Sequence, residues 1–304
     1  MQANKLSFSQ KHPFLFGIML IIAAVALFTG ATAALRVATG KHVGFSAPVF
    51  SQDKFGVINV EGFIADSKKV ADWAYTLRND DSVKGVVVRI NSPGGGVAAS
   101  QEMYYAIKRL AKEKPVVISM GTVAASGGYY IAAAGHTIVA NPATLTGSIG
   151  VKMELPNFQG LMEKVGVSYL SLTSGKLKNA GSPFQQMTEE QRAYFQAIIT
   201  DMYTQFIDVI VEGRHMKREA ILPYADGRAM TGQQALKAGF VDMLGDRETA
   251  FVELAKLCNV DEQLPVTEGP KKEESFLRDI LKSALDLEPV NTVREKSSLQ
   301  LLYN

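Results

Sequence analysis

The chain has 304 residues, enough to bury a full core without metal or disulfide support. Its 32 basic and 30 acidic residues leave a formal net charge of +2, too even a balance for a protein that grips a phosphate backbone, so nucleic acid is not an expected partner. A single cysteine, Cys258, rules out an intramolecular disulfide or a cysteine zinc site and reads as a small buried hydrophobe.

In chain order, residues 1–12 form a short leader carrying Lys5 and Lys11. Residues 13–35 are uncharged and end at Arg36. As a helix this stretch reaches about 34 Å, against roughly 30 Å of hydrocarbon, and is expected to be a transmembrane anchor. A cleavable signal peptide is the rival reading, with Ala31-Thr32-Ala33 as the small-residue site. The leader lysines place the N-terminus in the cytoplasm, and both readings put the remaining chain outside it, on an inner (plasma) membrane. Residues 36–53 mix Gly, Ser, Pro and Lys without hydrophobic periodicity and read as a linker.

A folded domain is predicted over 54–258. Residues 55–60 are strand-like, and Val70, Trp73, Ala74 and Leu77 follow at helical spacing. Strands at 85–90 and 116–120 are each followed by a helical pattern, at 97–112 and 126–134. Strand then helix, three times over, predicts an α/β fold with a mostly parallel sheet and covering helices. The run Val86-Val87-Val88 is apolar at both alternating positions, as a strand buried on both faces requires. Thr188 and Gln191 have capping-box form and open a helix expected to end at Glu212, with Gly213 beyond it. Thr231, Gln234 and Gly239 mark a shorter helix in the same way. Residues 259–304 are charged and loop-like, with one apolar helical stripe, Phe276, Leu277, Ile280, Leu281 and Ala284, expected to pack on the domain or on a neighbouring subunit.

Two glycine-rich segments fall between a strand and a helix. Asn91-Ser92-Pro93-Gly94-Gly95-Gly96 leaves backbone N–H groups uncovered, open to an anion or a developing oxyanion. It matches neither the Walker spacing nor a dinucleotide fingerprint. In Gly121-Thr122-Val123-Ala124-Ala125-Ser126-Gly127-Gly128, Ser126 falls at a helix N-terminus, where free amides and the helix dipole favour negative charge. It reads either as a nucleophile, with the Gly127 amide and a Gly94 or Gly95 amide as oxyanion donors, or as a plain N-cap. A nucleophilic serine needs a base. His12 and His42 flank the membrane stretch, His136 and His215 sit at element ends, and the Gly-x-Ser-x-Gly elbow is broken by Ala124, so a histidine triad is not expected. Lysine serves as base once its pKa is lowered by desolvation. Lys176 and Lys178 lie two apart and would share a face on a strand, and spacing does not choose between them.

These segments, with Tyr129-Tyr130, Thr146-Gly147-Ser148-Ile149-Gly150 and Asp226-Gly227-Arg228, resemble the signal peptide peptidase A (protease IV) family in its short single-repeat form, over roughly residues 55–246. The resemblance implies a fold similar to the Clp protease and crotonase enzymes and a Ser-Lys dyad in place of a triad. It places the nucleophile at Ser126 and selects Lys178 over Lys176, with Leu177 where the family has an aromatic residue. It implies an oxyanion hole from Gly127 with Gly94 or Gly95, and a Ser148 hydroxyl that orients Lys178. No cofactor or metal is implied. Its expected partners are cleaved signal peptides, the membrane, and further copies of the chain in a ring-like homo-oligomer, with the dyad formed either within one chain or between subunits. Misfolded exported proteins are further expected substrates. Two rival readings are an acyl-CoA enzyme of the crotonase type, which export to a compartment without acyl-CoA disfavours, and a membrane scaffold acting through the 276–284 stripe.

Overall fold

The computed structural model describes residues 14, 16–23, 27, 52–261 and 264–270. The chain divides into two compact units, residues 1–51 and 52–304. In the first, every described residue is helical, all within the expected anchor. Among the described residues no helix is long and apolar enough to cross a membrane, and the rest of the 13–35 stretch lies outside them.

The second unit is an α/β domain. Strand β1 (Lys54–Ile64), helix α1 (Lys68–Arg78), β2 (Val83–Gly95), α2 (Val97–Ala111), β3 (Val116–Ala125) and α3 (Gly127–Ala132) follow in strict alternation. Then come β4 (Thr137–Ala140), β5 (Leu145–Gly147), α4 (Gln159–Lys164), α5 (Glu189–Arg214), α6 (Arg218–Ile221) and a 3-10 turn (Leu222–Tyr224). The domain closes with β6 (Ala229–Thr231), α7 (Gly232–Lys237), β7 (Met243–Leu244), α8 (Arg247–Cys258) and β8 (Val266–Gly269). The sheet runs β6-β5-β3-β2-β1-β8, with β4 pairing β3 and β7. Every pairing is parallel except β5 with β6.

Alternation decides the two faces of the sheet. Ile58, Val86, Val88, Ile90 and Ile118 point into the larger core, against Leu77 of α1, Ile107 of α2, Ile131 of α3 and Ile207 of α5. Phe55, Val57, Val87, Val117 and Val139 point the other way, against Ala250 and Leu254 of α8. Burial on both faces makes the central strands continuously apolar, and each such side chain contributes about 1.5–3 kcal/mol. Gly85 lets α8 lie close, since a Cβ there would stand 2.5 Å from Cys258 Sγ. Burial pushes the Cys258 thiol up to about 11, as expected of a packed rather than a reactive sulfur.

Four sequence expectations change. The glycine segments were expected to be loops, yet β2 continues to Gly95 and β3 to Ala125, because β1 and β5 supply ladder partners that local sequence does not show. Pro93, which lacks an N–H, falls just past the register shift between Ile90 and Ser92. Helix α5 runs through Gly213 and stops at His215 in the left-handed conformation, φ 52°. Gly213 serves packing, not termination: a Cβ there would lie 2.0 Å from Ala133 O. Finally, the sheet extends past the expected domain end at 258, since β8 pairs with residues 55–58 of β1. Both capping boxes, Thr188 with Gln191 and Thr231 with Gln234, form as expected. The 276–284 stripe lies outside the described residues.

Candidate active site

The geometry is set where β3 gives way to α3. Among the described residues, four other than glycine hold a positive φ: Ser126, Ser148, His215 and Asn259. His215 and Asn259 are left-handed caps that end α5 and α8, a role that accounts for them. Ser126 (φ 53°, ψ −120°) and Ser148 (φ 49°) end no helix. Backbone held this way costs of order 1–3 kcal/mol and persists only where its surroundings enforce it. These two residues are neighbours: the β3–β5 ladder ends at Ala125 opposite Gly147, and the Ser126 N–H donates to Gly147 O at 2.8 Å.

Ser126 precedes α3, but its side chain makes no capping hydrogen bond, so the plain N-cap reading fails and Oγ is left unspent. Gly127 follows as the first helical residue, where an amide has no intrahelical acceptor. Gly94, at φ 99°, crosses directly in front of it. A Cβ on Gly94 would lie 2.7 Å from Gly127 N and 2.9 Å from Ser126 Cβ. The missing side chain keeps open the space that the Gly127 amide faces. Gly127 and Gly128 are confined in turn, by Ser100 Oγ at 2.3 Å and Ser92 O at 2.9 Å from where their Cβ atoms would be.

Ser92 was quoted in the sequence motif without a role. Fully buried, its hydroxyl donates to Gly62 O at 2.6 Å and accepts the Gly94 N–H at 3.1 Å, tying β1 to the glycine strand. Gly95 sits tight against β1, with Ile64 O 2.2 Å from where its Cβ would be. Phe63 is a second residue that the sequence did not single out. It lies opposite Gly94 in register, and its ring is 72% exposed. An exposed aromatic beside a glycine motif is the signal that could have found it.

Ser148 is half-buried, and its N–H donates to Arg228 O at 2.8 Å. The Asp226–Arg228 ion pair stiffens that turn, and the Arg228 guanidinium and backbone N–H draw the Asp226 carboxyl down to about 2. His136 is committed elsewhere, its Nδ1 accepting the Val116 N–H at 3.0 Å. Among the described residues, no group of three or more His, Cys, Asp or Glu side chains could hold a metal ion.

Lys176 and Lys178 lie in a turn rather than on a strand, so the shared-face expectation does not apply. Both are exposed. The Lys178 backbone N–H closes the turn onto Gly175 O at 3.1 Å, and no hydrogen bond or ion pair joins its side chain to Ser126 or to any other described residue. One chain therefore brings together Ser126, Gly127, Gly94 and Ser148, but not the lysine. The surrounding segment, 151–187, buries no residue fully, and α4 within it has none buried. Leu170 is 82% and Leu172 89% exposed, with Leu161, Val165 and Val167 also open to water.

The model of peptidase family S49 matches residues 108–261, and that of Clp protease matches residues 58–144. A relative from Methanocaldococcus jannaschii, provisionally named a protease, is 40% identical over 204 residues, 66% of each chain. One from Synechocystis, named likewise, is 40% identical over 225 residues, 73% of this chain and 81% of its own. A third, from Enterococcus faecium and provisionally named a signal peptide peptidase, is 37% identical over 209 residues, covering 68% of this chain and 58% of its own. The chain thus spans between just over half and four-fifths of these relatives. It belongs to peptidase family S49 and is a serine peptidase on a Clp protease-like α/β fold.

Proposed function

We propose that this chain is a membrane-anchored endopeptidase with a Ser126–Lys178 dyad, acting outside the cytoplasm on remnant signal peptides and on misfolded exported proteins. The observation that carries the reading is the strained Ser126, its Oγ uncommitted and its neighbouring amide facing the space that Gly94 leaves open. Neutral Lys178 Nζ takes the Ser126 Oγ proton as Oγ bonds to the scissile carbonyl carbon. The Gly127 amide and an amide of β2 hold the oxyanion, Gly95 ahead of Gly94, whose N–H is given to Ser92. Lys178 then protonates the leaving amine, and water, deprotonated by the same lysine, cleaves the acyl-enzyme.

Lys178 is supplied by a neighbouring copy in a ring-like homo-oligomer. Two observations support this: the lysine has no partner among the described residues of its own chain, and it rides on a segment whose apolar side chains are left in water. Docking that segment on another copy would take the ammonium out of water, and desolvation favours a neutral amine able to act as base. Ser148, strained and adjacent to Ser126, orients the incoming lysine. The 13–35 stretch anchors the ring on the inner (plasma) membrane with the N-terminus in the cytoplasm, near apolar peptide substrates. The leader (1–12) and linker (36–53) precede the peptidase domain, and the tail follows β8.

The test is subunit mixing. Ser126→Ala and Lys178→Ala should each abolish cleavage of a fluorogenic leucine-rich peptide, and co-assembly of the two inactive proteins should restore part of it. Dead mixtures would refute a dyad shared between subunits. Retained activity of Lys178→Ala would refute the base.

A further inference from the structure

Strand β3 changes partner along one edge. It pairs with β4 at residues 117–119 and with β5 at 123–125. Between these stretches, at residues 120–122, the edge borders a cavity of about 270 Å³ that none of Ser126, Ser148 and Gly94 lines. Thr144 Oγ1 donates to Gly121 O at 2.7 Å, and Arg89 Nη1 donates to Met120 O at 3.0 Å and to Ser119 Oγ at 2.8 Å. Satisfying Met120 O needs a neutral donor. It does not need a charge.

Arg89 is half-buried in mid-sheet, and no described carboxylate pairs with it. Of the other charged groups lining the cavity, Asp246 offsets its charge only in part. Arg247 is a second guanidinium, bonded to Glu268 at 3.1 Å and lying 5.7 Å over the Phe251 ring. Asp246 caps α8, its Oδ1 accepting from Thr249 N–H and Oγ1, each at 2.9 Å, and it keeps its negative charge, so the lining sets two guanidinium groups against one carboxylate. Burial, and then the like charge of Arg247, pull the Arg89 pKa below its ordinary value, against a smaller opposing pull from Asp246. A cation partly withdrawn from water, with its charge only partly offset, is stabilised when an anion joins it.

We propose that this cavity is an oxyanion site that takes the carboxylate or phosphate group of a small ligand between Arg89 and Arg247. A guanidinium presents two parallel N–H groups suited to such a group, and only Arg89 Nη1 is committed to the protein. The N-terminus of α8, a 12-residue helix, adds its dipole at the same place. Because Met120–Thr122 runs on directly into Ser126, occupancy would also steady the strand that carries the nucleophile.

The test uses the full-length protein at ionic strength fixed with chloride, titrated calorimetrically with inorganic phosphate, acetate and neutral acetamide. Saturable binding of phosphate or acetate, with none of acetamide, is expected, and which anion binds tells a phosphate ligand from a carboxylate. Arg89→Gln and Arg247→Gln should each weaken binding about 10- to 100-fold, the usual worth of a charge-assisted hydrogen bond. Arg192→Gln, on α5 and outside the cavity lining, should leave it unchanged. If Arg89→Gln does not fold, Arg247→Gln decides alone, its side chain being exposed at the cavity. The proposal is overturned if neither anion saturates, if acetamide binds as well as acetate, or if Arg247→Gln binds like the parent protein.

Discussion

Gly94→Ala is the sharpest perturbation available. The added methyl would stand 2.7 Å from Gly127 N, 2.9 Å from Ser126 Cβ and 3.0 Å from Ala125 O, where carbon contacts are optimal at roughly 3.5–4.0 Å. None of these neighbours is a flexible side-chain end, so the backbone must yield. The φ of 99° adds about 1–2 kcal/mol for a residue with a Cβ, and overpacking typically adds about 1–3 kcal/mol. The unfolding free energy, read from the urea midpoint, should therefore fall by about 2–5 kcal/mol. The methyl also fills the space in front of the Gly127 amide. Loss of one oxyanion donor lowers kcat by about 10²–10³. Peptide hydrolysis, normalised to the folded fraction at a temperature where the variant is still native, separates the two effects. A destabilised variant with unchanged kcat per folded molecule would show that the Gly94–Gly127 approach serves packing alone.

Ser148→Ala should lower kcat about 10- to 100-fold with KM and unfolding free energy unchanged, the signature of a lost hydrogen bond to the lysine; a KM effect alone would count against that role. Phe63→Ala should lower kcat/KM for peptides with large apolar side chains more than for alanine-rich ones, at constant oligomer size by ultracentrifugation. Equal losses for both peptides would remove Phe63 from the substrate path. The Ser82 hydroxyl, at 2.5 Å, and the Lys54 ammonium, at 2.9 Å, draw the Asp80 carboxyl from its ordinary 3.8 to about 2. A depressed carboxyl stabilises the fold fully above its ordinary value and loses that contribution as pH falls toward 2. Asp80→Asn should therefore narrow the stability gap between pH 5 and about pH 2, and an unaltered acid profile would show that the pairing is too solvent-screened to matter.

Much of this was legible from the residues alone, and the exceptions share a cause. The β-branched runs that became β2 and β3 identify themselves, because burial on both faces leaves no polar position. Their continuation through Ser92, Gly94 and Ala125 was invisible, because glycine and proline describe a turn locally while β1 and β5 supply the ladder from elsewhere. The same holds for β8, whose residues 266–269 are too short to show a period and gain their place from Phe55 to Ile58. Gly213 followed the grammar of a helix stop, and only its distance to Ala133 O shows otherwise. Ser126 stood out by position, yet whether its side chain caps the helix is a question of φ and ψ that no spacing answers.

The six-residue helix α3 is held end to end by main chain. At its front the Gly94 backbone abuts Ser126, and at its rear the Gly213 backbone of α5 abuts Ala133 O. Side chains can swap rotamers and absorb change, whereas peptide planes stacked at such separations behave as hard spacers. The height of the Ser126 hydroxyl is thus fixed by two absent side chains. Drift in the surrounding apolar residues should be forgiven, while a single methyl at either end would displace the helix as one piece.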